Sequence, residues 1–587
     1  MYYDSPVPIP TDKGKITIRR KGSSAYVLYE YERVYDPKKQ YNVPKRIIIG
    51  KVDETDSSLM FANDSYQIYF PVAVLPELRS EAYRSCALRI GSYIIIDKVA
   101  REYNLPQLLK KRFDPYSGLV LDLVAFCIIN EDNAAQYYPD FAFSHPLFSE
   151  GMHIYSDSTI SRLFSSISKD QIIGFLDDWN KGRKRHQRVY ISYDSTNKNC
   201  QAGDVELVEF GHAKDDKGLP IFNLALAYDQ SNRVPLFYEE YPGSINDISQ
   251  FTFMVDKVLE YGYKNIGFVL DRGYFSKENI RYMDEHGFSF VIMVKGMKTL
   301  VHQVVKEVRT TFETRRSCVI RPYRAYGTTV KRKLYSDDEK ERYIHIYFST
   351  SRMSAEREQL EVQLEAYKRF IKKAEGKVVE FGPSYRMYFD FFYDKDGTLL
   401  YAEEKSEVIE EQLELSGYFC LITSEKMDAE EALMLYKGRD ATEKLFSSDK
   451  TFIGSKSMRV HSQQSISSKI FIEFLALIIR SRIYTLLKEL TLGWDNKAYG
   501  MTVPEALGEL EKIEMVRRNN GYYRLDHAVT RKQKTILRAF GIDVDYVRKA
   551  AMEIGNLLAD GSSMMNSSTN TDQEGEENGQ DENDQFN

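Results

Sequence analysis

Residues Tyr436 to Lys450 read YKGRDATEKLFSSDK, and this stretch sets four functional side chains at fixed intervals. Tyr436, Arg439, Glu443 and Lys450 fall within an arc of about 60° on a helix that advances by roughly 100° per residue. Three other residues fall on the opposite side of this helix, where they would pack against a core: Met434, Ala441 and Leu445. The spacing therefore predicts one helix face that offers a phenol, a guanidinium, a carboxylate and an ammonium to a site for metal and phosphate.

Two aspartates follow apolar runs of the kind that form buried strands. Asp194 closes the run Arg188–Asp194 and precedes a polar break, which predicts that the strand ends there. Asp271 closes the run Asn265–Asp271 and precedes Gly273 and Ser276, which are suited to turn the chain into a helix. Carboxylate oxygens held on rigid elements are the ligands that Mg²⁺ prefers. Taken alone, each aspartate is as well explained as a turn residue or a helix cap.

The helix pattern resembles the Tyr-Arg-Glu-Lys signature of bacterial insertion-sequence transposases, and LDRGYFS, Leu270 to Ser276, resembles their second-aspartate motif. The resemblance implies an α/β ribonuclease-H-like core with a mainly β insertion before the glutamate helix. It implies catalytic and metal-binding roles for Asp194, Asp271 and Glu443, with two Mg²⁺ ions for which Mn²⁺ can substitute. It also implies DNA- and phosphate-binding residues, namely Tyr436, Arg439, Lys450 and Arg272. Asp229 follows another apolar strand and is the rival first carboxylate, but the family's order of strands favours Asp194.

The remaining patterns predict how the chain is divided. Alternating residues near the start predict a small β unit, and helical periodicity follows it. Between the two core strands Ile221–Tyr228 and Arg188–Asp194, Val205–Phe210 also reads as a strand. Further along the chain, Tyr343–Phe348 reads as a strand, and a heptad-like stripe predicts a helix around Ser354 to Ala374 with Leu360, Leu364, Tyr367 and Ile371 on one side. Asp428 and Glu431 have the spacing of an N-cap and its partner, which predicts that the signature helix begins near Ala429. The predicted segments are a β unit (1–78), a helical region for DNA-end binding (79–186), the first part of the core (187–300), a β-rich insertion with a long helix (301–415), the second part of the core with C-terminal helices (416–555) and an acidic disordered tail (556–587).

Net charge alone argues against a nucleic-acid partner, since 80 basic and 86 acidic residues give −6. The tail from Asp560 onward holds eight of the acids and no base, so the rest of the chain is close to neutral. Basic residues cluster at 181–188 and at 295–333, where Tyr323 and Tyr326 interleave with them. Such clusters suit phosphate backbones and stacked bases, and a solvated basic face explains each of them equally well.

Five scattered cysteines, without paired spacing, indicate neither a zinc site nor a disulfide framework. The N-terminus has no signal-sequence pattern, and the most apolar helix, Ile470–Ile479, is interrupted by Glu473 and is too short to cross a bilayer. We therefore expect that helix to be buried in the core. We therefore predict a bacterial protein that is located in the cytoplasm and associated with the nucleoid.

The predicted function is cut-and-paste transposition. The protein would bind the terminal inverted repeats of an insertion sequence and join them to target DNA. Both the repeats and the target are double-stranded DNA. Joining two ends implies at least two protomers, and a homodimer is expected. The alternatives are a ribonuclease-H-like metal-dependent nuclease without strand transfer and a DNA-binding protein that has lost catalysis.

Overall fold

The computed structural model of the protein describes all residues except 1, 12–14, 23, 54–55, 71–83, 184–187, 201–204, 212–217, 246, 295–296, 441–443, 445–456, 461, 493–500, 519–522 and 569–587. The chain forms two compact units. The first consists of residues 1–88, 515–526 and 551–587, and the second of residues 89–514 and 527–550. The architecture is mixed α/β.

The first unit begins with an antiparallel five-stranded sheet in the order β1-β5-β4-β3-β2. Alternating apolar residues place one face of this sheet against a small core that includes Val27, Ile49 and Met60. The elements are β1 (Tyr2–Pro8), β2 (Ile16–Lys21), β3 (Ser24–Asp36), β4 (Tyr41–Val52), β5 (Leu59–Asn63) and helix α1 (Asp64–Tyr69). A short strand, β6 (Ala87–Arg89), follows.

The second unit begins with six helices. Polar residues begin the last two of them: Ser156 caps one, and Ser168 forms a capping box with Gln171 at the other. Helix α4 is apolar on all sides and is almost entirely buried. The helices are α2 (Gly91–Glu102), α3 (Leu105–Phe113), α4 (Ser117–Asn130), α5 (Tyr138–Ser144), α6 (Asp157–Ser166) and α7 (Lys169–Lys181).

A nine-stranded sheet forms the centre of the second unit, in the order β12-β13-β14-β17-β11-β10-β7-β8-β9. Strands β7, β10 and β11 are parallel, whereas β8 and β9 run antiparallel to their neighbours. The apolar runs that predicted the strands are buried on both faces of the sheet. The first elements are β7 (Val189–Asn199), β8 (Ile221–Asp229), β9 (Val234–Pro242), α8 (Asp247–Glu260), β10 (Ile266–Leu270), α9 (Lys277–Glu285) and β11 (Ser289–Met293).

Two strand predictions are wrong. Strand β7 does not end at Asp194 but continues to Asn199, because the polar residues after Asp194 keep pairing with β8. Residues 205–210 form no strand, and only Glu209 makes an isolated bridge, with Ile221. The turn into helix α9 is confirmed, since the Ser276 hydroxyl accepts a hydrogen bond from the Asn279 amide.

Residues between β11 and β17 extend the central sheet and add a helical layer. The predicted strand at 343–348 is confirmed as β14, and it pairs with β17, which lies next to β11. Helix α11 packs the stripe Leu360, Leu364 and Ile371 into a separate small core, as its periodicity predicted. The elements are α10 (Lys298–Val308), β12 (Val319–Ile320), β13 (Ala325–Arg332), β14 (Arg342–Phe348), α11 (Thr350–Ala374), α12 (Pro383–Arg386), β15 (Phe389–Tyr393), β16 (Leu399–Glu404), α13 (Ser406–Glu414), β17 (Tyr418–Thr423) and α14 (Ala429–Gly438).

Helix α15 (Gln463–Leu492) is much longer than the predicted apolar stretch, although its middle is buried as expected. Glu473 does not interrupt it, because the Lys198 ammonium lies 2.7 Å from that carboxylate. None of the helices in the described parts of the chain is long and apolar enough to cross a membrane.

The chain ends with α16 (Val503–Leu510), β18 (Glu514–Arg517), β19 (Tyr523–Leu525), α17 (Arg531–Ala539) and α18 (Val544–Ser568). Strands β6, β18 and β19 form a three-stranded sheet. Helix α18 continues past residue 556, where the sequence predicted the disordered tail to begin.

Candidate active site

The two predicted aspartates lie on neighbouring strands. Leu270, the last residue of β10, pairs in parallel with Tyr193 of β7, so Asp271 and Asp194 follow side by side. One carboxylate oxygen of Asp194 accepts the Ser195 amide at 2.9 Å. The Asp194 side chain is 15% exposed and that of Asp271 is 35% exposed, so both remain open to solvent. The sheet thus presents two adjacent carboxylates at one edge.

Helix α14 brings a guanidinium and a phenol to these carboxylates. It begins as predicted, because Asp428 and Glu431 form a capping box. The Tyr436 hydroxyl donates to Asp271 at 3.3 Å. The Arg439 guanidinium lies 3.5 Å from an Asp194 oxygen and 3.7 Å from an Asp271 oxygen, so it bridges both acids. These four side chains meet where the spacing predicted a shared site.

Residues 187–479 match the family model described as the transposase DDE domain. The protein carries a transposase DDE domain. No curated protein matches the chain. A solved structure, the cryo-EM structure of the piggyBac transposase synaptic complex with hairpin DNA, is 9% identical over 82% of this chain and 87% of that one. The TM-score between the two structures is 0.31.

Several predicted DDE residues are not among those that the structure describes. Glu443 and Lys450 lie outside the described residues, as do Ala441 and Leu445. Arg272 follows Asp271 directly, in a single 3₁₀ turn, and its side chain is exposed. The roles of all these residues remain predictions.

Helix α14 differs from the predicted helix in two respects. Its polar face, with Tyr436 and Arg439, is the buried one, whereas Met434 is 53% exposed. The prediction that Met434 packs against a core is therefore wrong, because the sheet edge with its carboxylates covers the opposite side. The helix also ends at Gly438, and Arg439 is its C-cap, so the signature is not one uninterrupted helix.

A glutamine that the sequence did not single out holds this helix end in place. With the amide orientation assigned from its partners, Gln230 donates to the Leu435 carbonyl at 3.1 Å and accepts the Arg439 amide at 3.1 Å. It also accepts the hydroxyl of buried Ser192, on β7, at 2.9 Å. A Cβ on Gly438 would lie 2.6 Å from the end of the Gln230 side chain, so any larger residue there would displace this amide. Gln230 therefore positions the backbone of Arg439.

The rival carboxylate, Asp229, has a structural role. It is 1% exposed, and one of its carboxylate oxygens accepts the backbone amides of Ser231 and Asn232 at 2.8 and 3.0 Å. Asp229 thus stabilises the turn between β8 and β9. It pairs with Ile191, three residues before Asp194 on β7.

A cleft of about 1250 Å³ lies against the outer side of α14. Helix α15 supplies Arg480, Tyr484 and Lys488 to its wall, and Tyr323 lines another part of it. Seven cations line the cleft, against three acids: Arg188, Arg233, Lys426, Lys437, Lys444, Arg480 and Lys488 face Glu425, Glu431 and Asp440. The cleft is therefore basic and partly aromatic.

The two predicted basic clusters differ in how far their cations are paired or exposed. In the first, the Arg183 guanidinium stacks on the Trp179 ring at 3.8 Å, and the Arg188 guanidinium lies 2.5 Å from Glu425. Burial raises the pKa of Glu425, but the hydrogen bonds from Arg188 and Ser289 together outweigh burial, so the pKa of Glu425 lies below its usual value. In the second cluster, eight of the described cations are exposed: Lys306, Arg315, Arg316, Arg321, Arg324, Lys331, Arg332 and Lys333. Among the described residues, the second cluster therefore offers more exposed positive charge to a partner than the first.

Proposed function

We propose that the protein is a transposase that binds the ends of an insertion sequence and catalyses metal-dependent DNA cleavage and strand transfer. The observation that carries this proposal is the pair Asp194 and Asp271, side by side on parallel strands beneath Arg439. We infer a ribonuclease-H-like core. It is supported by the order β9-β8-β7-β10-β11, in which three antiparallel strands continue into parallel ones.

The donor set suits divalent cations. The carboxylates of Asp194 and Asp271 are partly exposed, and among the described side chains the Arg439 guanidinium bridges them. They therefore offer negatively charged oxygen ligands, which divalent cations prefer. Asp194 and Asp271 would hold two Mg²⁺ ions, or Mn²⁺ in their place, with Glu443 as the third carboxylate. When bound, the ions supply Lewis-acid activation of an attacking oxygen and stabilise charge on the leaving oxygen.

The chain's own residues orient the phosphodiester. Arg439 has a planar fork of donors, and its position between the two acids places it beside any phosphate that they help to bind. The Tyr436 hydroxyl holds the Asp271 carboxylate in its orientation. Exposed Arg272 adds a cation at the rim, and we assign Lys450 the same kind of role.

The basic cleft beside α14 would receive a DNA strand. Its cations suit phosphates, and Tyr190, Tyr323 and Tyr484 offer rings to bases. The partners are then the element's terminal inverted repeats and a target duplex. Joining two ends requires at least two active sites, so we propose a homodimer in the active complex.

The test is to incubate the protein with a labelled element-end duplex and a supercoiled plasmid in Mg²⁺. Asp271→Asn keeps the side-chain shape and removes the charge, so we expect joined product to fall by about 10³-fold or more. Glu443→Gln should do the same. Asp337→Asn makes the same chemical change at a side chain that is 53% exposed, and should leave joining within about twofold of wild type.

Cleavage without joining by the wild type would favour a nuclease. If Asp271→Asn and Asp337→Asn behaved alike, the site assignment would be wrong. Binding of DNA by the wild type without any cleavage would indicate a protein that has lost catalysis.

A further inference from the structure

The first 52 residues contain a basic segment in addition to the clusters already described. Residues 15–52 hold ten Lys or Arg and three acids, although the whole chain carries −6. These residues form β2, β3 and β4 of the N-terminal sheet. A local excess of positive charge in an acidic chain points to a polyanionic partner for this sheet.

The strand register places many of these cations on the face opposite the core. Arg19 pairs with Tyr26, which pairs with Lys51, so the three form a row across β2, β3 and β4. Lys21 lies two residues from Arg19 and shares its face. The next residues in register, Ile18 and Val27, alternate to the other face, where Val27 is fully buried. The basic row is therefore on the solvent face.

The same face continues along the β3–β4 hairpin. Arg46 pairs with Glu30, and both Arg46 and Arg33 contact its carboxylate, at 3.3 and 2.6 Å. The Arg33 hydrogen bond, together with Arg46, lowers the pKa of Glu30, so this acid is ionised and is shared by two cations. The Arg33 and Arg46 side chains thus place two positive charges around the one negative charge of Glu30 on this face.

The hairpin has the form of a two-stranded ribbon. Strands β3 and β4 remain paired as far as Asp36 and Tyr41, and the rings of Tyr35 and Tyr41 are 59% and 58% exposed. A two-stranded ribbon is narrow enough to enter the major groove of duplex DNA. Exposed aromatic rings between cations are also suited to contact with sugars and bases.

We propose that this face, which we call the basic sheet face and define by Arg19, Lys21, Arg33, Arg46 and Lys51, binds the phosphate backbone of duplex DNA. The proposal rests on the proposed function only in taking DNA as the partner, and it assigns the contact to a surface away from the carboxylates. Because phosphates carry no sequence information, the contact is independent of base sequence.

The test measures binding of the full chain, in EDTA, to two duplexes of equal length and unrelated sequence. The variant Arg19→Gln/Lys21→Gln/Lys51→Gln removes three cations and leaves the pairs around Glu30 intact. We expect its Kd for both duplexes to rise about tenfold or more, and the slope of log Kd against log salt to fall by about 3.

Two controls separate this result from misfolding and from net charge. Arg19→Lys/Lys21→Arg/Lys51→Arg keeps the charges and should bind like wild type. Lys372→Gln/Lys373→Gln/Lys377→Gln removes three exposed cations elsewhere and should change the Kd by less than about threefold. Unchanged binding by the first variant, or weakening for one duplex alone, would overturn the proposal. If the variants bind DNA as expected but the wild-type protein does not carry out strand transfer, the transposase function would be wrong. The proposed DNA contact of the basic sheet face would still be supported.

Discussion

Strand β7 carries two ionic clusters, four residues apart, that differ in burial and in charge balance. At Lys198 one ammonium lies 2.7 Å from the Glu473 carboxylate, with side chains only 0% and 2% exposed. The other oxygen of Glu473 accepts the Asn133 amide at 3.0 Å. At Asp194, one guanidinium serves two carboxylates at 3.5 and 3.7 Å, and both acids are partly exposed.

We interpret the first cluster as a structural ion pair and propose that the second is functional. A buried pair with matched charges and short contacts is already satisfied, and its loss would leave an isolated charge in the core. Among the described side chains, Asp194 and Asp271 share one guanidinium and are partly exposed, and we propose that they can bind a cation. Charge balance and access, more than the presence of charged residues, therefore mark the site on this strand.

Breaking the buried pair should have the largest effect on stability. Lys198→Met leaves Glu473 charged in the core, so we expect the free energy of unfolding to fall by about 3–5 kcal/mol. The double variant Lys198→Met/Glu473→Leu should recover part of that loss, because neither charge of the pair remains, while buried Lys469 loses the attraction of Glu473. Urea unfolding followed by circular dichroism measures both. Lys111→Met, at an exposed pair, should cost less than about 1 kcal/mol. A double variant as unstable as the single one would contradict this interpretation.

Altering the guanidinium that bridges the acids should affect activity more than stability. Arg439→Lys keeps the charge but loses the planar fork that reaches both Asp194 and Asp271, so we expect joining to slow by about 10²-fold. Single-turnover joining rates measure the effect. Arg369→Lys, at a side chain of α11 that is 74% exposed, is the matched control. Equal rates for wild type and Arg439→Lys would show that the fork is dispensable.

Loosening the helix end should have a smaller effect on the same site. Gln230→Leu removes the hydrogen bonds to Leu435, Arg439 and Ser192, so Arg439 loses its backbone anchor. We expect the joining rate at saturating DNA to fall by about tenfold while the Kd for DNA is unchanged. Gln303→Leu, on the exposed side of α10, should leave the rate unchanged. If Gln230→Leu raised the Kd for DNA and left the joining rate at saturating DNA unchanged, a positioning role for Gln230 would be contradicted.

A buried neutral group sharpens the comparison further. His345 is fully buried on β14, with ring nitrogens 2.8 and 3.0 Å from the hydroxyls of Thr329 and Thr423. Burial lowers its pKa to about 4, so between about pH 6.5 and pH 4 the unfolded chain binds a proton that the folded chain does not.

Stability should therefore be lost as the pH falls through this window, by about 1.4 kcal/mol per pH unit for this residue. Urea unfolding at pH 7 and at pH 5 measures the slope. His345→Gln should be less stable at pH 7 and have a shallower dependence on pH. An identical slope in the two proteins would show that other groups cause it.

The sequence predicted the elements of the core because buried strands and caps have local signals. The apolar run before Asp271, the Asp428–Glu431 capping box and the stripe of α11 each appear as predicted. Tyr436 and Arg439 were found from helical spacing alone, since residues three apart lie on one side of a helix.

Other features depend on contacts between distant segments, which a single sequence does not reveal. Residues 195–199 look like a loop but stay in β7 because β8 pairs with them. Gln230 follows a strand in a turn-like sequence, and its role depends on a helix end about two hundred residues later in the chain. Lys198 and Glu473 look like polar interruptions until the fold pairs them.

The separation of the site residues along the chain also sets an order in time. Arg439 lies 245 residues after Asp194 and 168 after Asp271, so the ribosome releases both acids long before their guanidinium. At about 5–20 residues per second, Arg439 follows Asp194 by about 10 to 50 s. During synthesis, the nascent chain therefore has two exposed acids and no completed centre until the strands at 319–348 and β17 have been made.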